Sequence, residues 1–191
     1  MKLIGLTGGI GMGKSAAAEI LRARGVAVVD TDEVSRRLTA PGQPALAEIQ
    51  KTFGAQILTA DGALNRSELA RRVFADETAR KKLEAILHPR IRERWLAQVA
   101  AWRAEQKPVA VVVIPLLFET GAETQFDRVV CVACSPATQS VRLAERGWTP
   151  TQIAARNAAQ WPVQKKMDAA HHVVWSEGEL AVLAAQLAAI F

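Results

Sequence analysis

The chain has 191 residues, half of them hydrophobic, and 24 Lys and Arg against 19 Asp and Glu give a formal charge of +5. That length and apolar content suit one compact domain with a real core, carrying lobes at most. No apolar run is long enough for a membrane span, and the first motif follows Lys2 too closely for a signal peptide, so a cytoplasmic protein without a membrane partner is expected. The basic balance favours anionic ligands, a property that nucleic-acid binders share with enzymes acting on phosphorylated substrates.

The first element is the apolar run KLIGLT (residues 2–7), which reads as a buried strand. It leads into GLTGGIGMGKS, where Gly8, Gly13, Lys14 and Ser15 fill every defining position of the phosphate-loop pattern G-x-x-x-x-G-K-[ST]. The Ala-rich stretch that follows reads as a helix, with Gly25 as its stop signal. In a strand, loop and helix of this kind, glycines let several backbone N–H groups converge on one polyanion, and the helix N-terminus adds partial positive charge. The candidate ATP contacts are Gly9, Gly11, Met12, Gly13, Lys14, Ser15 and Ala16. Lys14 is expected to reach the β- and γ-phosphates, and Ser15 to ligate Mg²⁺ through its hydroxyl.

VAVVD (residues 26–30) is a second strand candidate, followed by 109–114, 128–133 and 171–175. Helical patterns alternate with these near-continuous apolar runs. The expected fold class is therefore α/β, a three-layer arrangement with a five-stranded parallel sheet buried on both faces. The second strand delivers Asp30 and Asp32 to its carboxyl edge, where ligands of such sheets gather. Either carboxylate can accept the proton of an attacking hydroxyl or orient Mg²⁺ through water, and Asp30 can also cap the next helix with Glu33.

Residues 31–108, 78 in all, far exceed what a parallel crossover needs, and they read as helical. Asn65 with Glu68 resembles a capping box, Asp76 can cap the helix after it, and Ile91, Trp95, Val99 and Trp102 form an apolar stripe at helical spacing. The basic pairs Arg71-Arg72 and Lys81-Lys82 read as solvated helix faces, so no nucleic-acid partner is expected. Cys131 and Cys134 fall in a strand pattern and read as small buried hydrophobes. After that strand, Ser135 and Pro136 open a helix that Gly147 ends, and Thr149, Pro150 and Gln152 announce another. Arg142 and Arg146, four apart, share a face of the first of these helices and suit the charge of a transferring phosphoryl group.

Taken in order, GLTGGIGMGKS, VVDTDEVSRRL, PGQPAL, FGAQILTADGALNRSELARRVF, LEAILHPRI and VIPLLFE resemble the segments of the dephospho-CoA kinase family. The pair His88-Pro89 and the run Pro115-Leu116-Leu117 with Glu119 are the more distinctive pieces. The resemblance implies a P-loop kinase fold with a nucleotide core (1–30, 109–134, 168–191), a helical acceptor lobe (31–108) and a lid (135–167). It implies transfer of the ATP γ-phosphoryl group to the ribose 3′-hydroxyl of dephospho-CoA with Mg²⁺, the last step of coenzyme A biosynthesis. Asp32 is then the catalytic base, with Lys14 and Arg142 catalytic beside it, Arg146 on ATP, and Asp30, His88, Leu117 and Glu119 on the acceptor side, His88 before Pro89 being placed at a helix start. Near the C-terminus the chain reads AHHVVWSEG where family members commonly read A-D-x-V-I-x-N-x-G, so no base recognition is assigned to Ser176 or Gly178. A guanine-reading [NT]-K-x-D is not matched by KKMD at 165–168, which disfavours a GTPase; a different P-loop kinase is the nearer alternative.

Overall fold

A computed structural model describes residues 1–191 and places five strands in one parallel sheet of order β2-β3-β1-β4-β5. The strands are β1 (Lys2–Thr7), β2 (Ala27–Asp30), β3 (Val109–Val113), β4 (Arg128–Ala133) and β5 (His172–Trp175), each within a residue of its apolar run in the sequence. The helices are α1 (Lys14–Ala23), α2 (Thr31–Leu38), α3 (Pro44–Phe53), α4 (Arg66–Ala75), α5 (Glu77–Ala104), α6 (Pro136–Glu145), α7 (Pro150–Ala158), α8 (Val163–Ala169) and α9 (Leu180–Ala188). The chain divides into two compact units, residues 1–30 with 99–191, and residues 31–98.

In the first unit, β1, β3 and β4 are buried along nearly their whole length. On one face Ile4, Leu6, Val111, Val130 and Val174 meet Leu21 of α1 and Leu183 and Leu187 of α9. Each such side chain withdrawn from water contributes about 1.5–3 kcal/mol before entropy is counted. The opposite face lacks a side chain at Gly5, and the space is filled by Leu117 and Phe126, which a Cβ on Gly5 would meet at 2.5 and 3.1 Å. Cys131 and Cys134 are buried free thiols, and burial pushes the Cys131 thiol up to about 11, well away from reactive thiolate. α1 and α6 end alike: Gly25 donates to Arg22 O and Val26 to Leu21 O, while Gly147 donates to Ala144 O and Trp148 to Leu143 O, satisfying the last carbonyls.

The second unit has its own core of Ile49, Ile57, Leu69, Val73 and Ile86. Asn65 caps α4 by accepting from Glu68 N at 3.1 Å, but the reciprocal half of the box is not made, because the Glu68 carboxylate turns to Arg71 and Arg72 at 2.8 and 2.7 Å. Asp76 accepts from Thr78 N at 2.8 Å at the head of α5. The structure corrects the reading of His88-Pro89 as a helix start: Pro89 lies inside the 28-residue α5. Beside the proline, the Arg90 guanidinium donates to Ile86 O at 2.6 Å and to Glu48 at 2.5 Å, tying this turn to α3. His88 is exposed on that helix.

Glu68 supplies a pH test. Its two arginine partners hold the carboxyl at about 2 against an ordinary 4.5. Because the folded value is depressed, the stabilisation is fully present above about 4.5 and is lost as pH falls toward about 2. Glu68→Gln should lower the thermal midpoint slightly at pH 7, since both partners are partly exposed, and the difference from the parent should close as the medium is acidified through that window. Scanning calorimetry at a series of pH values checks this; a gap that widens on acidification contradicts it.

Candidate active site

The loop after β1 sits at the carboxyl edge of the sheet, where the connection from β1 leaves toward β2 and that from β4 leaves toward β5 on the opposite side. Its course needs glycine. Gly8 has φ +146°, and a Cβ there would stand 2.2 Å from Val132 O, a backbone atom of β4 that cannot swing away. Gly13 has φ +89° and caps α1 without any side-chain acceptor, and the first turn of α1 carries no acidic residue. The first N–H groups of this ten-residue helix thus have no side-chain cap where the loop enters it, the arrangement that suits an anion. Lys14 folds back over this loop and donates to Gly8 O at 2.9 Å and Gly9 O at 2.8 Å. Ser15, the second residue of α1, is exposed.

α6 presses on the loop from the other side. Leu143 is fully buried, and a Cβ on Gly11 would meet it at 2.9 Å; Gln139 Nε2 donates to Ile10 O at 2.7 Å. Arg142, on the same face of α6, donates from Nη1 to Ser176 Oγ at 2.8 Å and from Nη2 to Ser176 O. Its Nη1 stands 3.7 Å from the Cβ position of Gly13. The structure therefore brings Arg142 to the loop. Arg146 it does not: that residue is the C-cap of α6, with an exposed side chain. Of the 135–167 segment read as a lid, α6 is anchored in this way, whereas α7 buries no residue and is held by Asn157 on Gln139 at 3.2 Å and by Arg156 stacked 3.9 Å over Trp148.

The segment after β3 behaves differently from the acceptor-side reading of Leu117 and Glu119. Leu117 is fully buried beneath Gly5, where its side chain supports the central strand. Glu119 accepts from Lys166 Nζ at 2.8 Å and from Trp161 N at 2.7 Å. Lys166 has no exposure at all and also donates to Pro115 O at 2.7 Å. Phe118 stacks on Trp161 at 5.6 Å with the rings 6° from parallel, so the chain leaving α7 is pinned to the end of β3 twice. Sequence reasoning missed Lys166, whose neighbours in VQKKMDA suggest only a solvated helix; the acidic residue 47 positions earlier gives no local signal of the pairing. It also left Ser176 without a role.

Asp30 ends β2, 8% exposed, paired in the ladder with Val113, which pairs with Leu6 of β1; it lies about 10 Å from the central strand at two strand spacings. Asp32 is exposed in the first turn of α2, where the helix dipole favours a carboxylate.

A glycine-shaped phosphate loop opening a helix at the carboxyl edge of a parallel sheet, with a lysine within it and an arginine alongside, defines a P-loop kinase. Residues 2–181 match the family model for dephospho-CoA kinase, CoaE. A dephospho-CoA kinase of Anaeromyxobacter dehalogenans is 48% identical over 185 residues, 96% of this chain and 88% of the relative. A crystal structure from Thermus thermophilus superposes with a TM-score of 0.83 at 33% identity, covering 99% of this chain and 95% of that one. The dephospho-CoA kinase of Campylobacter jejuni, at 24% identity and a TM-score of 0.70 over 100% of this chain and 96% of that one, shares the fold. The chain belongs to the dephospho-CoA kinase family, as the sequence motifs imply.

The Glu119–Lys166 pair makes a stability prediction separate from catalysis. Glu119→Ala leaves a buried ammonium uncompensated and should cost about 3–5 kcal/mol, whereas Glu119→Ala with Lys166→Met should recover most of that loss. Urea denaturation of the two variants measures it. A single variant as stable as the parent would mean that the pair does not hold this edge of the sheet.

Proposed function

We propose that this chain transfers the γ-phosphoryl group of ATP to the ribose 3′-hydroxyl of dephospho-CoA, giving CoA and ADP. The observation that carries the reading is the conjunction of the phosphate loop geometry with family membership over residues 2–181. Residues 31–108 are the acceptor lobe in this reading, with His88 on that side, residues 135–167 form the lid, with α7 as its moving part, and the remaining segments, 1–30, 109–134 and 168–191, form the nucleotide core.

The residues act as follows. Backbone N–H groups of Gly9, Gly11, Met12 and Gly13, with those of Lys14, Ser15 and Ala16 in the first turn of α1, receive the triphosphate. Lys14 exchanges its two carbonyl partners for phosphate oxygens and neutralises charge as it develops. Arg142 supplies a second, always-charged set of donors from the side of α6, with Arg146 at the C-cap of the same helix as the further ATP-side arginine. Asp32 accepts the proton of the 3′-hydroxyl as that oxygen attacks the γ-phosphorus, and Asp30 orients the acceptor side from the edge of β2. Glu119 and Leu117 act through the scaffold. The exposed Ser15 hydroxyl beside the loop fits Mg²⁺ as a hard oxygen ligand and would hold it where substrate phosphates complete the shell. When bound, the ion neutralises charge on the β- and γ-phosphates. No helix is long and apolar enough to cross a membrane, in keeping with a small-molecule enzyme of the cytoplasm.

With ATP and Mg²⁺, dephospho-CoA should gain one phosphoryl group by mass spectrometry, placed on the 3′ oxygen by phosphorus NMR, while adenosine, shikimate and gluconate react poorly. Lys14→Ala should abolish transfer in a folded protein. Asp32→Asn should slow the chemical step by about 10²–10⁴ with ATP binding little changed, and Asp30→Asn should cost less. Inert dephospho-CoA would end this reading; a larger defect in a stable Asp30 variant would move the base to Asp30.

A further inference from the structure

Ser176, which stands where the family pattern commonly has Asn, and its neighbour Glu177 gather hydrogen bonds from the phosphate loop and from both ends of α6. Ser176 N continues the sheet by donating to Ala133 O at 2.9 Å, which fixes the residue's backbone. Its hydroxyl donates to Met12 O in the phosphate loop at 2.9 Å and accepts from Arg142 Nη1 at 2.8 Å, while its carbonyl accepts from Arg142 Nη2. One buried serine therefore ties the loop, the end of β5 and the guanidinium together. Glu177 holds the other end of the same helix: its Oε1 accepts from Ser135 N at 2.8 Å and Thr138 Oγ1 at 2.9 Å, and these bonds hold its carboxyl below the usual range. Ser135 and Arg142 are seven residues apart, two turns of α6, so the dipeptide grips the helix at both ends of the face that meets the loop.

An arginine side chain left to itself samples many rotamers, and ordering it on binding opposes the phosphate contact. Here two of its five N–H donors are committed to Ser176, and the other three remain for a phosphate beside Gly13. The clamp also has a size limit, because Ser176 Cβ and Oγ both lie 2.7 Å from the Cβ position of Gly13.

We propose that Ser176 is a positioning residue for phosphoryl transfer, presetting the Arg142 guanidinium over the phosphate loop, with Glu177 as the second anchor of the helix that carries it. This rests on the reading of Arg142 as a phosphate-facing group, and it predicts coupling: beyond its bond to Met12 O, most of the hydroxyl's effect on turnover requires the guanidinium that it aims.

The test is a double-variant cycle in the full-length protein. kcat and KM for ATP are measured for the parent, Ser176→Ala, Arg142→Ala and the double variant, on dephospho-CoA and also on background ATP hydrolysis, which needs no acceptor. Ser176→Ala should lower kcat about ten- to a hundredfold with a smaller change in KM, as expected for losing a hydrogen bond to a charged group. The double variant should be as slow as Arg142→Ala alone, within about twofold. Added guanidinium ion should restore part of the activity of Arg142→Ala and markedly less of the double variant's. Loss of the acceptor reaction with the cycle intact on hydrolysis would sink the dephospho-CoA reading and leave the clamp standing. Single effects that multiply in the double variant, equal rescue of both, or an Arg142→Ala enzyme as fast as the parent would overturn the clamp. Melting curves confirm folding, and should the alanine variant unfold, Ser176→Cys, similar in volume but a weak donor, takes its place under the same criteria.

Discussion

The backbone of Gly8 passes so close to the carbonyl of Val132 that no side chain fits between them, at 2.2 Å from a would-be Cβ. This contact between the end of β1 and the next strand lets the loop turn tightly at the sheet edge and directs the N-terminus of α1 at the space it encloses. Around that backbone path the other elements fit as supports: Leu143 under Gly11, Gln139 on Ile10, and Ser176 on Met12. The loop is thereby held by side chains of α6 and of the segment after β5, which is how a flexible, glycine-rich segment acquires a fixed shape.

Two sets of charges are kept apart by the sheet edge. Lys14 and Arg142 face the loop, and each is presently bonded to carbonyl or hydroxyl oxygens that a phosphate can replace or supplement. Lys166, by contrast, is committed: wholly buried, it is neutralised by Glu119 and bonded to Pro115 O, and Cys131 beside it feels both its charge and that of Lys14. A buried pair of this kind adds little net stability over apolar packing, but it fixes geometry strongly because breaking it is costly. Since Glu119 also receives Trp161 N, the pair fixes where the chain returns from α7.

The strands were readable because each is a near-continuous apolar run with turn residues at its end, and the phosphate loop because its spacing is a backbone requirement rather than a packing preference. Helix starts at Asn65, Ser135 and Thr149 were equally local, and only the reciprocal half of the Asn65 box was lost, to arginines one turn ahead that compete for the same carboxylate. The failures share a different character. His88-Pro89 looks like a boundary, but a long-range bond from Arg90 to Glu48 steadies the turn that the proline weakens. The packing of Leu117 gives no local signal, because it fills the space left by a glycine more than a hundred residues earlier. Lys166 and Ser176 are invisible to periodicity because their partners are 47 and 34 residues away, in Glu119 and Arg142. Local rules reported the frame and the loop; side-chain contacts across the fold decided what aims and what merely supports.

Triphosphate binding by a loop whose shape glycine contacts hold is open to direct measurement at the glycine that caps α1. Titration calorimetry of ATP with Mg²⁺ into the parent and into Gly13→Ala addresses it directly, since the added methyl demands a φ of +89° from a non-glycine residue and intrudes on Ser176 at 2.7 Å. Affinity for ATP should fall by at least about tenfold in a variant that still melts cooperatively, a strain of 1–3 kcal/mol appearing in the loop. Parent-like affinity in the folded variant would contradict the account.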